Sequence, residues 1–300
     1  MIPKEKVLPI EPAVRAPAVR ALPRPRRLGA ILIERGKLTN ATAEQVAEAQ
    51  RELGLRFGDA ALQLKLISGE DLRKALAEQY DFHVLEPSLD GVSREVIAAY
   101  SPDHPRVEEF RLLRTQLLIR WYSPETARCT LAIVSPGPAE GRSFVAANLA
   151  VGFAQLGHRT LLIDADMRTP RQHRLFNVSD RIGLSAALTG RADSSAAIPV
   201  PGCGDLWVLP AGSLPPNPQE LLSRPAFASL LKNLQAEYDV VLIDTPPAKL
   251  YADVQSIAFR AGVALVVARR HQTRVTDAAE VVRELTDSGI RVVGTVMNAF

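Results

Sequence analysis

From residue 105 onward, short apolar runs alternate with stretches of helical pattern. The candidate strands are Thr130–Ser135, Thr160–Asp164, Leu206–Pro210, Asp239–Asp244, Val263–Ala268 and Arg291–Asn298. Several are unbroken Val/Ile/Leu runs, the composition of strands buried on both faces. Such alternation leaves few solutions. The expected one is an α/β architecture, a mostly parallel sheet covered by helices on both faces, over residues 105–300.

The preceding segment has a different period. Residues 27–50 and 56–79 match at Arg27/Arg56, Gly29/Gly58, Leu38/Ile67 and Gln50/Gln79, a repeat of 24 residues separated by five. In each unit a short apolar helix turns and restarts at a polar cap, Thr39–Asn40 in the first and Ser68–Gly69 in the second. A small all-α domain is expected over 27–86. Residues 87–104 contain Pro87, Gly91 and Pro102 and read as a linker with one short helix. Residues 1–26 carry six prolines and little that could pack, so an extended or disordered tail is expected.

Composition narrows the function classes. The chain has 47% hydrophobic and 23% charged residues, an ordinary soluble balance. Its net charge of +3 is uneven: residues 1–27 hold seven Lys/Arg and two Glu, a balance of +5, which leaves −2 for the remainder. The folded part therefore offers no basic face, and nucleic acid is not an expected partner. The Arg24, Arg26, Arg27 cluster reads either as a solvated tail or as a segment drawn to acidic lipid headgroups. Two cysteines make neither a disulfide framework nor a metal pattern. No run approaches the roughly 18 apolar residues of a membrane-spanning helix. A cytoplasmic chain is expected, reaching the membrane only through a partner.

The stretch "SPGPAEGRSFVAANLA", residues 135–150, follows an apolar run and opens a helix. It approaches the phosphate-loop pattern G-x-x-x-x-G-K-[ST], with Pro136 for the first glycine and Arg142 for the lysine. Unpaired N–H groups at a helix start, with the helix dipole behind them, suit a phosphate. Gly141 would let the backbone approach it, and Ser143 is placed to ligate magnesium. Taken alone, "PAEGRS" also fits an unliganded helix-capping turn. The next strand adds Asp164 and Asp166, and "YDVVLIDTPP" ends on Asp244. Each acid has a reading as a cap or turn former. Together they aim a phosphate loop and three carboxylates beyond the carboxyl ends of the strands, where open α/β sheets bind ligands.

These motifs resemble the bacterial tyrosine kinases, deviant-Walker members of the P-loop ATPases. "LLIDADMR" is similar to their second Walker motif and "DVVLIDTPP" to their Walker B motif; "PPNPQELL" and "EEFRLLRTQL" also look like that family. The likeness points to the exopolysaccharide chain-length-determinant type called EpsG. It implies ATP and Mg2+ bound by Ala139, Glu140, Gly141, Arg142, Ser143 and Phe144, with the metal on Ser143, Asp166 and Asp244. It implies Asp164 as the group taking the tyrosine proton, with Asp166 and Arg142 completing the catalytic set. Arg168 would orient the acidic pair and Asn298 would read the adenine edge, although a terminal Asn also suits a turn.

The resemblance has departures. Arginine keeps the lysine's charge but is planar and longer, so phosphate binding is expected to survive while transition-state placement is put in question. Ala139 stands where the family has glycine. The sequence stops at "VVGTVMNAF" without a tyrosine cluster, and Tyr80, Tyr100, Tyr122, Tyr238 and Tyr251 are dispersed. The substrate is then another protein, a dispersed tyrosine, or absent. Glu108, Arg111 and Arg114 lie three apart, a stripe suited either to internal salt bridges or to joining subunits in a ring, and a homo-oligomer is expected. The doubled helical unit resembles the N-terminal domain of type II secretion ATPases, some of which bind cyclic di-GMP; Arg27 and Arg56 would face its phosphates, although a docking module without nucleotide fits as well. The implied partner is a membrane-anchored polysaccharide copolymerase. A catalytically silent ATP-binding switch and a partition-type ATPase are the alternatives.

Overall fold

The computed structural model describes residues 26–80, 85, 91–123 and 129–299. The expected tail lies outside these residues except for Arg26, as does Pro87 of the expected linker. The chain forms two compact units, residues 1–81 and 82–300.

The first unit is helical, with α1 Leu28–Glu34, α2 Asn40–Leu53, α3 Phe57–Gln63 and α4 Gly69–Gln79. The repeat read in the sequence is its construction rule. Arg27 and Arg56 hold the N-cap positions of α1 and α3. Thr39 and Ser68 cap α2 and α4 by accepting from the backbone N–H three residues on, and Thr42 and Asp71 return a bond to each cap. Between helices the chain passes through the left-handed region at Gly36, φ 68°, and at its repeat partner Lys65, φ 55°. Glycine takes that conformation freely; lysine takes it under strain. The paired glycines serve close packing: a Cβ on Gly58 would stand 2.6 Å from a Leu72 methyl, and one on Gly29 3.1 Å from the Phe57 ring. Ile31, Leu32, Leu38, Val46, Ala60, Ala61, Ile67 and Ala75 form the core. Arg26, at the end of the basic tail, is paired with Glu34 and Glu78.

The second unit opens with α5 Ile97–Tyr100 and α6 Pro105–Arg120. Then follow β1 Thr130–Val134, α7 Arg142–Gln155, β2 Thr160–Asp164, α8 Gln172–Leu175, α9 Leu184–Leu188, β3 Ile198–Pro199 and β4 Leu206–Leu209. The chain continues through α10 Pro218–Ser223, α11 Pro225–Glu237, β5 Val240–Asp244, α12 Asp253–Ala261, β6 Val263–Arg269, α13 Val275–Asp287 and β7 Arg291–Asn298. The sheet runs β3-β4-β2-β5-β1-β6-β7. Every pairing is parallel except β3 with β4. All six expected strands are present, within a residue of their expected ends. The two-residue β3 has too little apolar length to register as a strand in the sequence.

Two apolar layers cover the sheet. One gathers Ile163, Ile243, Leu222, Phe227 and Ile257. The other gathers Leu131, Leu149, Phe153, Leu162 and Leu242. Each fully buried Leu, Ile or Phe contributes about 1.5–3 kcal/mol relative to exposure. The described part of 87–104, read as a linker, adds to this second layer: Val92, Val96, Ala98 and Ala99 are buried in it. The Asn148 side chain fastens this segment, accepting from the Ala98 N–H at 3.0 Å and donating to the Glu95 carbonyl at 3.1 Å. The sheet order sets β2, β5 and β1 side by side. The loop after β1 and the acids ending β2 and β5 therefore share one crevice.

Candidate functional site

The phosphate loop joins β1 to α7, with Gly141 as the N-cap of α7 at φ 91°. Ala139, in the position where the sequence pattern suggested glycine, takes φ 57°. A non-glycine residue there is uncommon and strained. The loop is held from several sides. The Glu140 carboxylate accepts from the Gly137 N–H at 2.7 Å and from the Thr273 hydroxyl. Arg269 donates to the Ala139 carbonyl at 3.1 Å and Asn298 to the Glu140 carbonyl at 3.2 Å. Asn298 thus reaches the loop, bonded to its main chain through one amide N–H.

Asp164, Asp166 and Asp244 converge as the sequence suggested, and all three are buried. Asp164 and Asp244 are register partners across β2 and β5. Asp164 accepts from the Arg171 and Gln172 N–H groups, each at 2.9 Å. Burial, with the Asp244 charge beside it, still holds the Asp164 carboxyl well above the usual carboxylate range. Asp244 is raised by the same burial, opposed by the Arg142 charge and by hydrogen bonds from Ser143 and Gln172. Asp166 lies two residues beyond β2 and accepts from the Arg168 and Thr169 N–H groups at 3.1 and 2.9 Å and the Thr169 hydroxyl at 3.0 Å.

Arg142 points into this acidic cluster. Its guanidinium donates to Asp166 Oδ2 at 3.2 Å and to the Ser135 hydroxyl at 2.7 Å. Its Nε lies 3.3 Å from Asp244 Oδ1. Neither of those last two atoms has a hydrogen-bond partner, so this contact is a charge pair without a formed bond.

Two other expected ligand residues are turned elsewhere. The Arg168 guanidinium forms a two-bond pair with buried Asp253, at 2.9 and 3.1 Å, and lies 4.0 Å from the Tyr251 ring centre. Arg168 therefore orients Asp166 through its main-chain N–H only. Phe144 packs edge-on against Phe110 in the apolar layer. In the Glu108, Arg111 and Arg114 stripe, Arg111 bonds Glu108 at 2.8 Å, and Arg114 donates to the Gly152 carbonyl at 2.6 Å.

Sequence reasoning missed Gln172. It is fully buried, donating to Asp244 Oδ2 at 2.8 Å and to the Ser143 carbonyl at 3.2 Å. No local pattern marks a glutamine whose partners lie 72 and 29 residues away. Asp253 was missed for the same reason. The Thr273 contribution had no signal either.

Among the described residues no group of three or more His, Cys, Asp or Glu side chains is gathered to hold a metal. The set that fits a magnesium ion is smaller: Ser143, Asp166 and Asp244, with the desolvated Asp244 Oδ1 as an unfilled acceptor. Mg2+ suits such a set, since it commonly takes one or two carboxylates and fills its octahedron with phosphate and water. No helix among the described residues is long and apolar enough to cross a membrane.

Comparisons agree with this geometry. The family model described as "ParA: NUBPL iron-transfer P-loop NTPase" matches residues 127–300. The tyrosine-protein kinase YwqD of Bacillus subtilis is 36% identical over 207 residues, which cover 69% of this chain and 86% of YwqD. The candidate tyrosine-protein kinase EpsB of Ralstonia solanacearum is also 36% identical, over 68% of this chain. The match spans only 27% of EpsB, about a quarter of that longer relative. The solved kinase domain of the Escherichia coli tyrosine kinase Etk superposes with a TM-score of 0.66 at 31% identity, covering 71% of this chain and 82% of that one.

Proposed function

The chain belongs to the bacterial tyrosine-protein kinases, within the ParA-type P-loop NTPases, and from that premise we propose that it is an ATP- and Mg2+-dependent protein tyrosine kinase. The observation that carries the reading is the adjacency of β2, β5 and β1, which joins the phosphate loop to Asp164, Asp166 and Asp244. Loop N–H groups at the start of α7 cradle the phosphates. Ser143, Asp166 and Asp244 would hold the magnesium ion, which neutralises phosphate charge when bound. The tyrosine oxygen attacks the terminal phosphorus, the bond from that phosphorus to the ADP oxygen breaks, and Asp164 accepts the tyrosine proton. Its raised proton affinity suits that role. Phosphoryl transfer needs chiefly positioning and charge neutralisation, and these groups supply both.

By this reading the chain acts with a membrane-anchored polysaccharide copolymerase, in the chain-length-determinant manner of the EpsG type, and tunes exopolysaccharide length or export. A homo-oligomer formed through Glu108, Arg111 and Arg114 belongs to the same proposal. Ring formation would require Arg114 to leave the Gly152 carbonyl. Cyclic di-GMP at Arg27 and Arg56 is a further proposal, supported by their equivalent helix N-cap positions. The inward Arg142 favours one second reading, a switch in which ATP drives assembly and no phosphate reaches protein.

The test is the purified chain with Mg2+ and ATP, with and without candidate membrane partners, read by phosphosite mass spectrometry. Phosphotyrosine that vanishes in Asp164→Asn supports the kinase. ATP uptake without phosphotyrosine in every arm selects the switch.

A further inference from the structure

The phosphate-loop arginine stands among the acids, on the side of the loop where metal would sit. Arg142 is buried, its side chain 8% exposed, and its two closest acids are Asp166 and Asp244. Asp166 and Asp244 are also the two carboxylates of the candidate metal set. One guanidinium therefore spans the pair of side chains that a divalent cation would need.

The fit of that guanidinium is informative. It makes one weak hydrogen bond to Asp166, at 3.2 Å, and one firm bond to Ser135, at 2.7 Å. Toward Asp244 it contributes charge alone, leaving Arg142 Nε and Asp244 Oδ1 both buried and unbonded. A permanently seated buried ion pair needs its hydrogen bonds satisfied to offset desolvation. This one is half satisfied, as suits an occupant that can leave. Three buried acids with no cation would repel one another and be driven to take up protons, so a cation in the seat is what lets them stay charged.

We propose that Arg142 is the resident counter-ion of the metal seat: it occupies Asp166 and Asp244 until nucleotide arrives, and Mg2+ must displace it. The proposal rests on the nucleotide-binding reading above. Its consequence is obligatory coupling. Metal alone finds its ligands taken. Nucleotide alone offers Arg142 a triphosphate but leaves the acids uncompensated. The two together exchange one pairing for another, so each raises the other's affinity by the same factor.

The experiment measures melting temperature and calorimetric titration of the full chain in EDTA, in MgCl2, in ATP with EDTA, and in both ligands. The wild-type chain, Arg142→Met and Arg142→Lys are compared. Wild type is expected to respond weakly to Mg2+ alone and strongly to the pair. Arg142→Met is expected to melt about 5–15 °C lower in EDTA, because it strands two buried carboxylates. It should regain much of that loss in MgCl2 alone, with Mg2+ binding at least about tenfold tighter than in wild type. Arg142→Lys, the safer variant to fold, should fall between the two in both measures. The proposal is overturned if Arg142→Met melts like wild type in EDTA, or if neither variant gains a response to Mg2+ alone. A failure of every protein to respond to nucleotide would sink the kinase reading, while the comparison in EDTA and MgCl2 would still decide the role of Arg142.

Discussion

Asp164 and Asp244 face each other in register at the ends of neighbouring parallel strands, both without solvent exposure. Each is pushed toward its protonated form by burial, and the charge of Asp244 adds to the push on Asp164. A carboxyl whose folded affinity for protons is raised contributes stability that is complete below the unfolded value of about 3.9. That contribution is lost as pH rises through the raised folded value. Asp164→Asn removes the ionisation while keeping an oxygen for the Arg171 and Gln172 N–H groups. The variant is therefore expected to melt higher than wild type at pH 8 in EDTA, by at least about 2 °C, the shift of about 1 kcal/mol in a domain this size. Its melting temperature should also fall less steeply than that of wild type between pH 5 and pH 9. Thermal scans across that range check both. Phosphoryl transfer should be lost in the same variant, a site trading stability for chemistry.

The helical unit supplies an independent test of backbone strain. Gly36 and Lys65 hold equivalent left-handed positions in the two halves of the repeat. Relief of the strain on Lys65 is offset in part by the unfolded-state freedom that glycine adds. The net expectation for Lys65→Gly is a gain of about 0.5–1 kcal/mol. Gly36→Ala should lose about 1 kcal/mol. Urea denaturation followed by far-ultraviolet circular dichroism reads both, and equal midpoints for Lys65→Gly and wild type would refute the strain.

Much of this arrangement was legible before the structure, for identifiable reasons. Unbroken apolar runs marked the buried parallel strands, and acids at their tips marked the crevice, because side chains at strand ends need no tertiary information to be placed. The repeat at Arg27/Arg56 foretold two matched helix pairs, and the caps at Thr39 and Ser68 fell where expected. Side-chain direction was not legible. Arg142 was expected to face phosphate and instead faces carboxylates. Arg168 was expected to orient Asp164 and Asp166, but its guanidinium has a bidentate partner 85 residues away. Val92, Val96 and Ala98 lie among the prolines and glycine of the expected linker, and only the apolar face of α7 shows why they pack.

The Arg168–Asp253 pair is the tie between the second acidic motif and α12. Asp253 is fully buried and accepts both bonds. The pairing holds Arg168 above its ordinary range. Asp253→Ala leaves a guanidinium beside an emptied buried site and frees the turn that presents Asp166. Because the Arg168 guanidinium is 28% exposed and can regain water, a loss of about 1–2 kcal/mol is expected. Nucleotide affinity in MgCl2 should fall with it, because the Arg168 and Thr169 N–H groups no longer fix the Asp166 carboxylate. Denaturant titration and calorimetry measure the two effects. A normal affinity in a destabilised variant would confine Asp253 to structure.

Gln172 joins both register-paired acids, donating to Asp164 from its main chain and to Asp244 from its side chain. The side-chain bond favours the charged form of Asp244 against the desolvation that raises it. Gln172→Leu keeps the size and the main-chain donor but removes the amide. The Asp244 carboxyl then moves further up, and a smaller fraction is ionised at any given pH. The acidic limb of Mg2+-dependent nucleotide binding should shift to higher pH, with affinity at pH 7 lowered by about tenfold for the loss of one charge-assisted bond. Affinity should recover toward wild type as pH is raised, because the carboxylate itself is intact. Gln172→Glu adds an acid to the cluster and should show the opposite trend, weakening further as pH rises. Dissociation constants measured across pH 6 to pH 9 separate these cases, and a pH-independent loss in Gln172→Leu would mean that the glutamine acts through packing alone.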